Sequence, residues 1–422
     1  MNMPTKYRLN NNMTVLLAPL PGVVSVSVGL WVHAGSRHEN ENQMGYAHLI
    51  EHMLFKGTEK YSARDIARLV DRVGGHHNAA TSREYTTYYI NVMSNYLDLA
   101  LSILSETYSR SVFDKVELEK EKNVVLEEIR MYEDSPDELI HDVFMECMLA
   151  EHPLGHPILG TVDTIKNTDR SSLMDFYSET YRDEKSLLVV VGNIDVEQTK
   201  NMIAGHFFRP AVNPVEIIPN GTPRPNRIKR KHIQKDLEQV HFCIGADGLK
   251  KGEPERWSYY IMSTVLGGSM SSRLFQHVRE DEGLCYNIYC FHSSYSDEGI
   301  FGIYCGTSPE NYSKTIELIE HECTDFLVNS ITEEELEDAK TFMKGNIALS
   351  LESTEVQMGQ LARHEMVYGR TFTFQEISEQ IDAVTLKDVQ DITSRVFSPN
   401  DFALVTTGTL PQGSRDNFSL KI

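Results

Sequence analysis

The apolar and polar residues of this 422-residue chain follow two different periods in its first third. Residues 43–55 and 95–110 carry apolar side chains three or four positions apart, a spacing that predicts helices. Residues 77–93 alternate and are rich in Thr, Tyr and Ile, which predicts a strand. Asp114 and Glu117 have the spacing of a capping box and open a long acidic helix. Because helices and strands are interleaved and antiparallel hairpins are expected, the pattern predicts an α+β fold.

A proline-rich segment divides the chain into two parts of similar length. Residues 209–227, RPAVNPVEIIPNGTPRPNR, contain five prolines, which break both helical and strand periods. We expect a linker here, between an N-terminal domain of residues 1–208 and a C-terminal domain of residues 228–422. An order of strand, helix, loop and acidic helix in the first part recurs in residues 300–347. We therefore expect two homologous domains, each a mostly antiparallel β-sheet packed with helices.

The composition describes a globular protein outside the membrane. Hydrophobic residues make up 41% of the chain, and no apolar run approaches the roughly 18 residues that span a bilayer. The N-terminus lacks the charged start and apolar stretch of a secretory signal, so we expect a cytoplasmic protein. Six cysteines are present without a CxxC pair. In such a chain we expect reduced, mostly buried thiols rather than disulfides or a thiolate metal site.

The net charge restricts the partners. At −21, the formal charge argues against nucleic acid, because a phosphate-binding surface needs an excess of basic residues. An acidic surface serves mainly solubility. Its functional alternative is a chamber that attracts basic peptides by electrostatic steering.

The main chemical signal is the pentapeptide HLIEH, with histidines at 48 and 52 and an acid at 51. On a helix, positions i and i+4 lie on one face, so the imidazoles of His48 and His52 can reach one ion. A catalytic zinc takes three protein ligands and keeps one open position for water. Glu51 is placed to accept a proton from that water. The alternative is a pair of helix histidines satisfied by ordinary polar neighbours.

A third ligand must come from another element, and the acidic helix after Asp114 offers three candidates. Glu121 and Glu128 are seven residues apart, hence on one face of the helix, and Glu127 is adjacent. One acid could bind the ion while another orients a ligand histidine. The alternative is a solvated acidic face. Spacing alone does not choose among the three acids.

At this point the sequence resembles the pitrilysin/insulinase metallopeptidases, which include mitochondrial processing peptidase and insulin-degrading enzyme. The resemblance covers nearly the whole chain and rests first on HxxEH followed about 75 residues later by an acid in EKNVVLEEI. It implies that His48, His52 and Glu128 bind one Zn²⁺ per subunit. It also implies that Glu51 is the general base and that Glu121 orients a ligand.

Two further patterns carry the resemblance. GGHHNAATSREYTTYY is similar to the family's substrate-binding strand, which implies that Asn78 and Ala79 contact a peptide paired to the strand's edge. Arg279 and Tyr286, in REDEGLCY, match an Arg/Tyr pair that in the family grips substrate carbonyls and stabilises the oxyanion. Without the resemblance, Arg279 would be interpreted as a surface charge and Tyr286 as a half-buried strand residue.

The resemblance implies a zinc metalloendopeptidase that hydrolyses unfolded peptides inside a closed chamber. Larger relatives enclose that chamber with four such domains, so a chain with two implies a homodimer. Arg279 and Tyr286 would then complete the site of the opposite subunit. One alternative is a non-catalytic structural or assembly subunit, although such subunits usually lose motif residues. A second alternative is a metal-dependent hydrolase of a non-peptide substrate, which the peptide-pairing strand disfavours.

Two other segments resemble metal motifs and are interpreted as structural. ELIEH at 317–321 has Glu317 where a first histidine is required, and we expect a solvated helix face there. His152 and His156 bracket a Pro/Gly loop, where we expect a turn.

Overall fold

The computed structural model of the chain describes residues 3–208 and 227–421. The predicted linker, residues 209–227, lies outside the described residues except for Arg227, so the linker stays a prediction.

The helices and strands of the first described segment are, in chain order, β1 (Thr5–Arg8), β2 (Thr14–Pro19), β3 (Ser25–Val32), α1 (Tyr46–Leu54), α2 (Ala63–Asp71), β4 (His76–Thr81), β5 (Thr86–Met93), α3 (Leu97–Arg110), α4 (Lys115–Asp134), α5 (Pro136–Met148), α6 (Val162–Asn167), α7 (Arg170–Thr180), β6 (Ser186–Gly192) and α8 (Val196–His206). Those of the second are β7 (Arg230–Gln234), β8 (Val240–Asp247), α9 (Arg256–Gly267), a π-helical turn (Phe275–Asp281), β9 (Cys285–Ser294), β10 (Gly299–Thr307), α10 (Tyr312–Asn329), α11 (Glu333–Ser350), α12 (Thr354–Tyr368), α13 (Phe374–Asp382), α14 (Leu386–Phe397) and β11 (Ala403–Gly408).

The strands form two sheets that share a five-strand topology, to which the first sheet adds β1. Their orders are β1-β2-β6-β3-β5-β4 and β7-β11-β8-β10-β9. In each sheet the first and last strands of the repeat pair in parallel, β2 with β6 and β7 with β11. The neighbours that follow are antiparallel. Read from β2 and from β7, the two sheets place their strands in the same chain order. The predicted α+β fold with two homologous, mostly antiparallel domains is confirmed.

Two helices depart from the division of the chain into continuous halves. The first compact unit contains the described residues of 1–131, 156–222 and 349–373, and therefore includes α12. The second contains those of 132–155, 223–348 and 374–422, and therefore includes α5. Each helix belongs to the unit whose sheet its apolar face covers. Met358 and Leu361 of α12 are buried with Val189 of the first sheet, whereas Phe144 of α5 is buried with Cys243 of the second.

Glycines in equivalent strands leave room for α12 and α5 to pack against the two sheets. A Cβ on Gly29 of β3 would lie 2.8 Å from the sulfur of Met358. A Cβ on Gly245 of β8 would lie 2.4 Å from the ring of Phe144. Since β3 and β8 occupy the same place in their sheets, each sheet lacks a side chain where its returning helix packs. The other face of the first sheet packs on α1 and α3, so that sheet is buried on both faces.

Three local predictions can be compared directly. The alternating run 77–93 is two antiparallel strands, β4 and β5, and not one, because Ser82 closes a turn by donating its N–H to the Tyr85 carbonyl at 2.8 Å. The helix predicted from residue 43 begins at Tyr46, since Gly45 adopts a left-handed φ of 91°. Asp114 opens the long acidic helix as predicted, with Oδ1 accepting from the N–H of Val116 at 2.8 Å.

Among the described residues, no helix is long and apolar enough to cross a membrane. The six cysteines are free thiols, and four of them are buried.

Candidate metal centre

Helix α1 holds its two histidines on one face and anchors the other face in the core. Leu49, Ile50 and Leu54 are fully buried. His48 and His52 are one turn apart, with ring centroids 4.6 Å from each other. The buried apolar face therefore fixes the helix, and the helix fixes the separation of the two imidazoles.

Helix α4 brings a carboxylate to the two histidines. Oε2 of Glu128 lies 3.8 Å from Nε2 of His48 and 3.7 Å from Nε2 of His52. Ligand atoms of the three residues lie within 4.8 Å of one another, and no other such group of His, Cys, Asp or Glu occurs in the part of the chain that the structure describes. Two ligands at 2.0–2.1 Å from a tetrahedral ion are about 3.4 Å apart, so a small contraction would seat one ion.

The donor set suits a divalent transition metal. Two imidazoles and one carboxylate are ligands that zinc accepts, and three protein ligands leave a fourth position open. Burial, and next the proximity of His52, lowers the pKa of His48 from 6.5 to about 3. His48 is therefore neutral at physiological pH, which is the form that binds a metal. Burial also raises the pKa of the Glu128 carboxyl, which favours a cation beside it.

The contacts of Glu121, Glu127 and Glu128 differ, although their spacing in the sequence did not distinguish them. Oε2 of Glu121 lies 3.1 Å from Nδ1 of His52, on the ring nitrogen opposite to the one that faces Glu128. Glu121 is only 4% exposed, and its other oxygen pairs with Nζ of Lys56 at 2.7 Å. Glu127 is exposed and pairs with Arg130 on the helix surface. Glu128 therefore joins the two histidines in the group that could hold a metal, and Glu121 contacts the other ring nitrogen of His52.

Glu51 lies between the two histidines in the sequence and points to strand β4. The Thr81 hydroxyl, at the end of β4, donates a hydrogen bond to Oε2 of Glu51. Burial raises the pKa of the Glu51 carboxyl, and this effect outweighs the hydrogen bond from Thr81. A carboxyl with a raised pKa can take up a proton from a neighbouring water.

A buried acid that the sequence analysis did not single out caps helix α1. The carboxylate of Glu39 accepts from the N–H of Gly45 at 2.8 Å and of Ala47 at 2.7 Å. Burial raises the pKa of Glu39 to about 8, although these bonds oppose the shift. Gly45 has no side chain to cap α1, so Glu39 takes that role from six residues upstream. The known capping patterns place the acid at or next to the helix start. Glu39 is six residues before Gly45, so these patterns do not identify it.

Asn78 and Ala79 lie on an edge strand. β4 is the last strand in the order of its sheet, and within the described residues it pairs only with β5. Oδ1 of Asn78 accepts from the N–H of Ala79 at 2.9 Å. On the neighbouring strand, Tyr89 hydrogen-bonds with both Asn78 and Glu355 of α12. The outer edge of β4 thus has no strand partner among the described residues, and α12 supports the hairpin behind it.

Arg279 and Tyr286 lie together in the second compact unit, whereas His48 and His52 belong to the first. The Arg279 guanidinium lies 5.3 Å from the Tyr286 ring centroid and 4.4 Å from that of Phe275. Tyr286 is 79% exposed, and so does not match the half-buried strand residue that the pattern would indicate without the resemblance. A phenol and a guanidinium that face solvent side by side can both donate hydrogen bonds to a ligand.

The two segments that only resemble metal motifs have structural roles. His321 and Glu317 are exposed as expected, but the solvated-face interpretation is wrong for Glu320, which is buried and pairs with Arg415 at 2.6 Å. In the Pro/Gly loop, Nδ1 of the buried His152 accepts from the N–H of Leu154 at 3.1 Å, as expected of a turn.

Comparison with known proteins gives consistent matches along the chain. Residues 14–162 match the family described as insulinase (peptidase family M16), and residues 167–343 match the peptidase M16 inactive domain. An uncharacterized zinc protease of Bacillus subtilis is 39% identical over 412 residues, covering 97% of this chain and 100% of the relative. An uncharacterized zinc protease of Streptomyces coelicolor is 33% identical over 397 residues, covering 92% and 86%.

Solved structures share the fold. A protease from Helicobacter pylori has a TM-score of 0.89 at 23% identity, covering 97% of this chain and 100% of that one. A peptidase M16 inactive domain protein from Pseudomonas fluorescens has a TM-score of 0.86 at 20% identity, covering 99% and 100%. With family matches in both halves and relatives aligned over nearly the whole length, the chain belongs to peptidase family M16, the insulinase family.

Proposed function

We propose that the protein is a zinc metalloendopeptidase, with one Zn²⁺ per subunit held by His48, His52 and Glu128. The observation that carries this proposal is the convergence of these three side chains, with Glu121 behind His52 and Glu51 beside them. The names of the relatives as zinc proteases support the same metal and reaction class.

A bound zinc supplies Lewis-acid chemistry toward a peptide carbonyl and toward water. Glu51 would accept the proton of the attacking water and pass it to the nitrogen of the departing amine. Its raised pKa suits the first step, because a carboxylate with a higher pKa is a stronger base toward the proton of the water. Glu121 would keep the His52 ring oriented through Nδ1.

The edge of β4 would bind the substrate as an added strand. Such pairing uses the backbone groups of the peptide, and Asn78 and Ala79 would contact it. Only an extended segment can pair in this way, so unfolded peptides are the proposed substrates. The acidic net charge of −21 favours basic peptides among them.

Arg279 and Tyr286 would complete the site by donating to substrate carbonyls and to the developing oxyanion. We propose that they act on the opposite subunit of a homodimer that encloses a chamber. Mixing an inactive His48→Ala variant with an inactive Tyr286→Phe variant tests this arrangement. Restored activity supports a shared site, and no restoration in mixed dimers contradicts it.

A non-catalytic assembly subunit is the alternative. The inactive-domain match in residues 167–343 does not favour it, because the metal ligands lie in the other matched region, residues 14–162. The residues that such a subunit usually loses are present here. A hydrolase of a non-peptide substrate is disfavoured by the accessible edge of β4.

The proposal is tested by removing and restoring the metal. The protein is stripped with a chelator, reloaded with zinc, and assayed on an unfolded peptide, a folded protein and a small ester. We expect one bound zinc per chain and metal-dependent cleavage of the unfolded peptide alone. Cleavage of only the ester would favour the non-peptide hydrolase, and no cleavage at all would favour the assembly subunit.

A further inference from the structure

Thr81 connects the peptide-pairing strand with the proposed general base. It is the last residue of β4, and its hydroxyl donates to Oε2 of Glu51 on α1. Asn78 and Ala79 lie on the same strand, three and two residues earlier. The strand that would hold the substrate therefore also holds the Glu51 carboxylate.

The turn that follows Thr81 is fixed on its inner side. Ser82 closes the turn twice, since both its N–H and its hydroxyl donate to the Tyr85 carbonyl at 2.8 Å. The N–H of Arg37 donates to the Arg83 carbonyl at 2.9 Å, and the Arg37 guanidinium pairs with Glu84 at 2.7 Å. The end of β4 is thus fastened to the segment that precedes helix α1.

A buried threonine supports Thr81 from the neighbouring strand. Thr86 is opposite Thr81 in the β4–β5 register and is fully buried. Its hydroxyl donates to the Ala34 carbonyl at 2.8 Å and lies 3.4 Å from the Thr81 hydroxyl. Tyr181 also hydrogen-bonds with Thr86. Thr81 is consequently held between a rigid turn and a buried polar group.

We propose that Thr81 is a positioning residue that fixes the orientation of the Glu51 carboxylate relative to the substrate strand. The proposal rests on the proposed peptidase function and adds a residue to it. A carboxylate on a helix can adopt several rotamers, and only those that face the scissile bond can transfer its proton. By holding one oxygen of Glu51, the Thr81 hydroxyl selects among these rotamers.

The test compares three variants with the zinc-loaded wild type. Thr81→Val removes the hydroxyl at nearly constant volume, and Thr81→Ser keeps the hydroxyl. Thr87→Val is the matched control, because it makes the same change in the same hairpin on the opposite face of the sheet. For each protein, kcat, KM, bound zinc and the thermal midpoint are measured, and the crystal structure gives the Glu51 rotamer.

We expect Thr81→Val to lower kcat about 10- to 100-fold while KM changes less than about twofold. Zinc content should stay at the wild-type value, and Glu51 should occupy a different or mixed rotamer. Thr81→Ser should recover most of kcat, and Thr87→Val should behave as the wild type.

Wild-type kcat and an unchanged Glu51 rotamer in Thr81→Val would overturn the positioning role while leaving the peptidase function intact. A loss shared equally by Thr81→Ser would also overturn it, because the hydroxyl would then not be the cause. If Thr81→Val does not fold, a wild-type kcat in Thr81→Ser supports the role and a large loss overturns it. A wild type that cleaves no peptide overturns the peptidase function itself.

Discussion

His52 and Glu121 are joined by a 3.1 Å contact between Nδ1 of the imidazole and Oε2 of the carboxylate, on the side of the ring away from Glu128. A carboxylate in this position favours the tautomer that carries its proton on Nδ1, which would leave Nε2 free for a metal. Glu121 and Glu128, seven residues apart on α4, thus lie beside the two different ring nitrogens of His52.

Replacing Glu121 should weaken metal binding without removing a ligand. We expect Glu121→Gln to lower zinc affinity about 10- to 100-fold, because the amide orients His52 less firmly and leaves Lys56 without its ion pair. Competition with a zinc-binding dye measures the affinity. Glu127→Gln, an exposed change on the same helix, is the control and should bind zinc as the wild type does. Equal affinities in both variants would contradict the assigned orientation.

Loss of a histidine should lower zinc binding in HLIEH at 48–52 but not in ELIEH at 317–321. We expect His48→Ala to bind less than a tenth of the wild-type zinc at micromolar concentrations, since one of three ligands is lost, a level of about 0.1 zinc per chain. His321→Ala changes the exposed histidine of ELIEH and should keep the full amount. Metal analysis after gel filtration measures both. Full zinc in His48→Ala would place the metal elsewhere.

Asn78 should contribute to substrate binding more than to the chemical step. Removing one hydrogen-bonding side chain costs about 0.5–1.5 kcal/mol, so Asn78→Ala should raise KM about 2- to 10-fold with kcat little changed. Steady-state kinetics on an unfolded peptide measures this split. Asn123→Ala, on the exposed surface of α4, is the matched control. A loss confined to kcat would mean that Asn78 acts in the chemistry instead.

Glu39 should make folding stability depend on pH. The pKa of Glu39 is about 8 in the folded protein against an ordinary value of 4.5, so between these values the folded state binds more protons than the unfolded state. Its contribution is complete below about pH 4.5 and is lost as pH rises toward 8, by at most about 1.4 kcal/mol per pH unit.

Urea unfolding of metal-free wild type and Glu39→Gln between pH 5 and pH 8 tests this dependence. The wild type should lose stability relative to the variant as pH rises, because the glutamine keeps an acceptor for the α1 N–H groups and does not ionise. The difference between the two proteins cancels the titration of the histidines. A difference that does not change with pH would contradict the raised pKa.

Much of the fold follows from local patterns. The helices from residues 97 and 115 and the strand–helix–helix repeat of the second half depend on periodicity and capping, which the sequence displays directly. The exchange of α5 and α12 between compact units was not predictable, because an apolar helix face does not say which sheet it will cover. Gly29 and Gly245 leave room for these helices, a role that is visible only in the packed structure.

Part of the candidate site also follows from the sequence, and part required the structure. His48, Glu51 and His52 form one helical motif, so their proximity follows from the sequence alone. The choice between Glu121, Glu127 and Glu128 required the position of α4 against α1, which spacing does not give. Glu39 lies outside any motif, and Thr81 lies in the strand pattern without a sign there of its contact with α1, so only the folded contacts reveal both.

The most direct test of the central claim is zinc content and peptide cleavage measured together on the wild type and Glu51→Gln. Glutamine preserves the size of the side chain and its contact with Thr81, but it cannot take a proton. We predict about one zinc per chain in both proteins, with cleavage in the wild type and at least about a 100-fold lower kcat in the variant. Undiminished cleavage by Glu51→Gln, or a wild type that binds no zinc and cleaves nothing, would contradict the account.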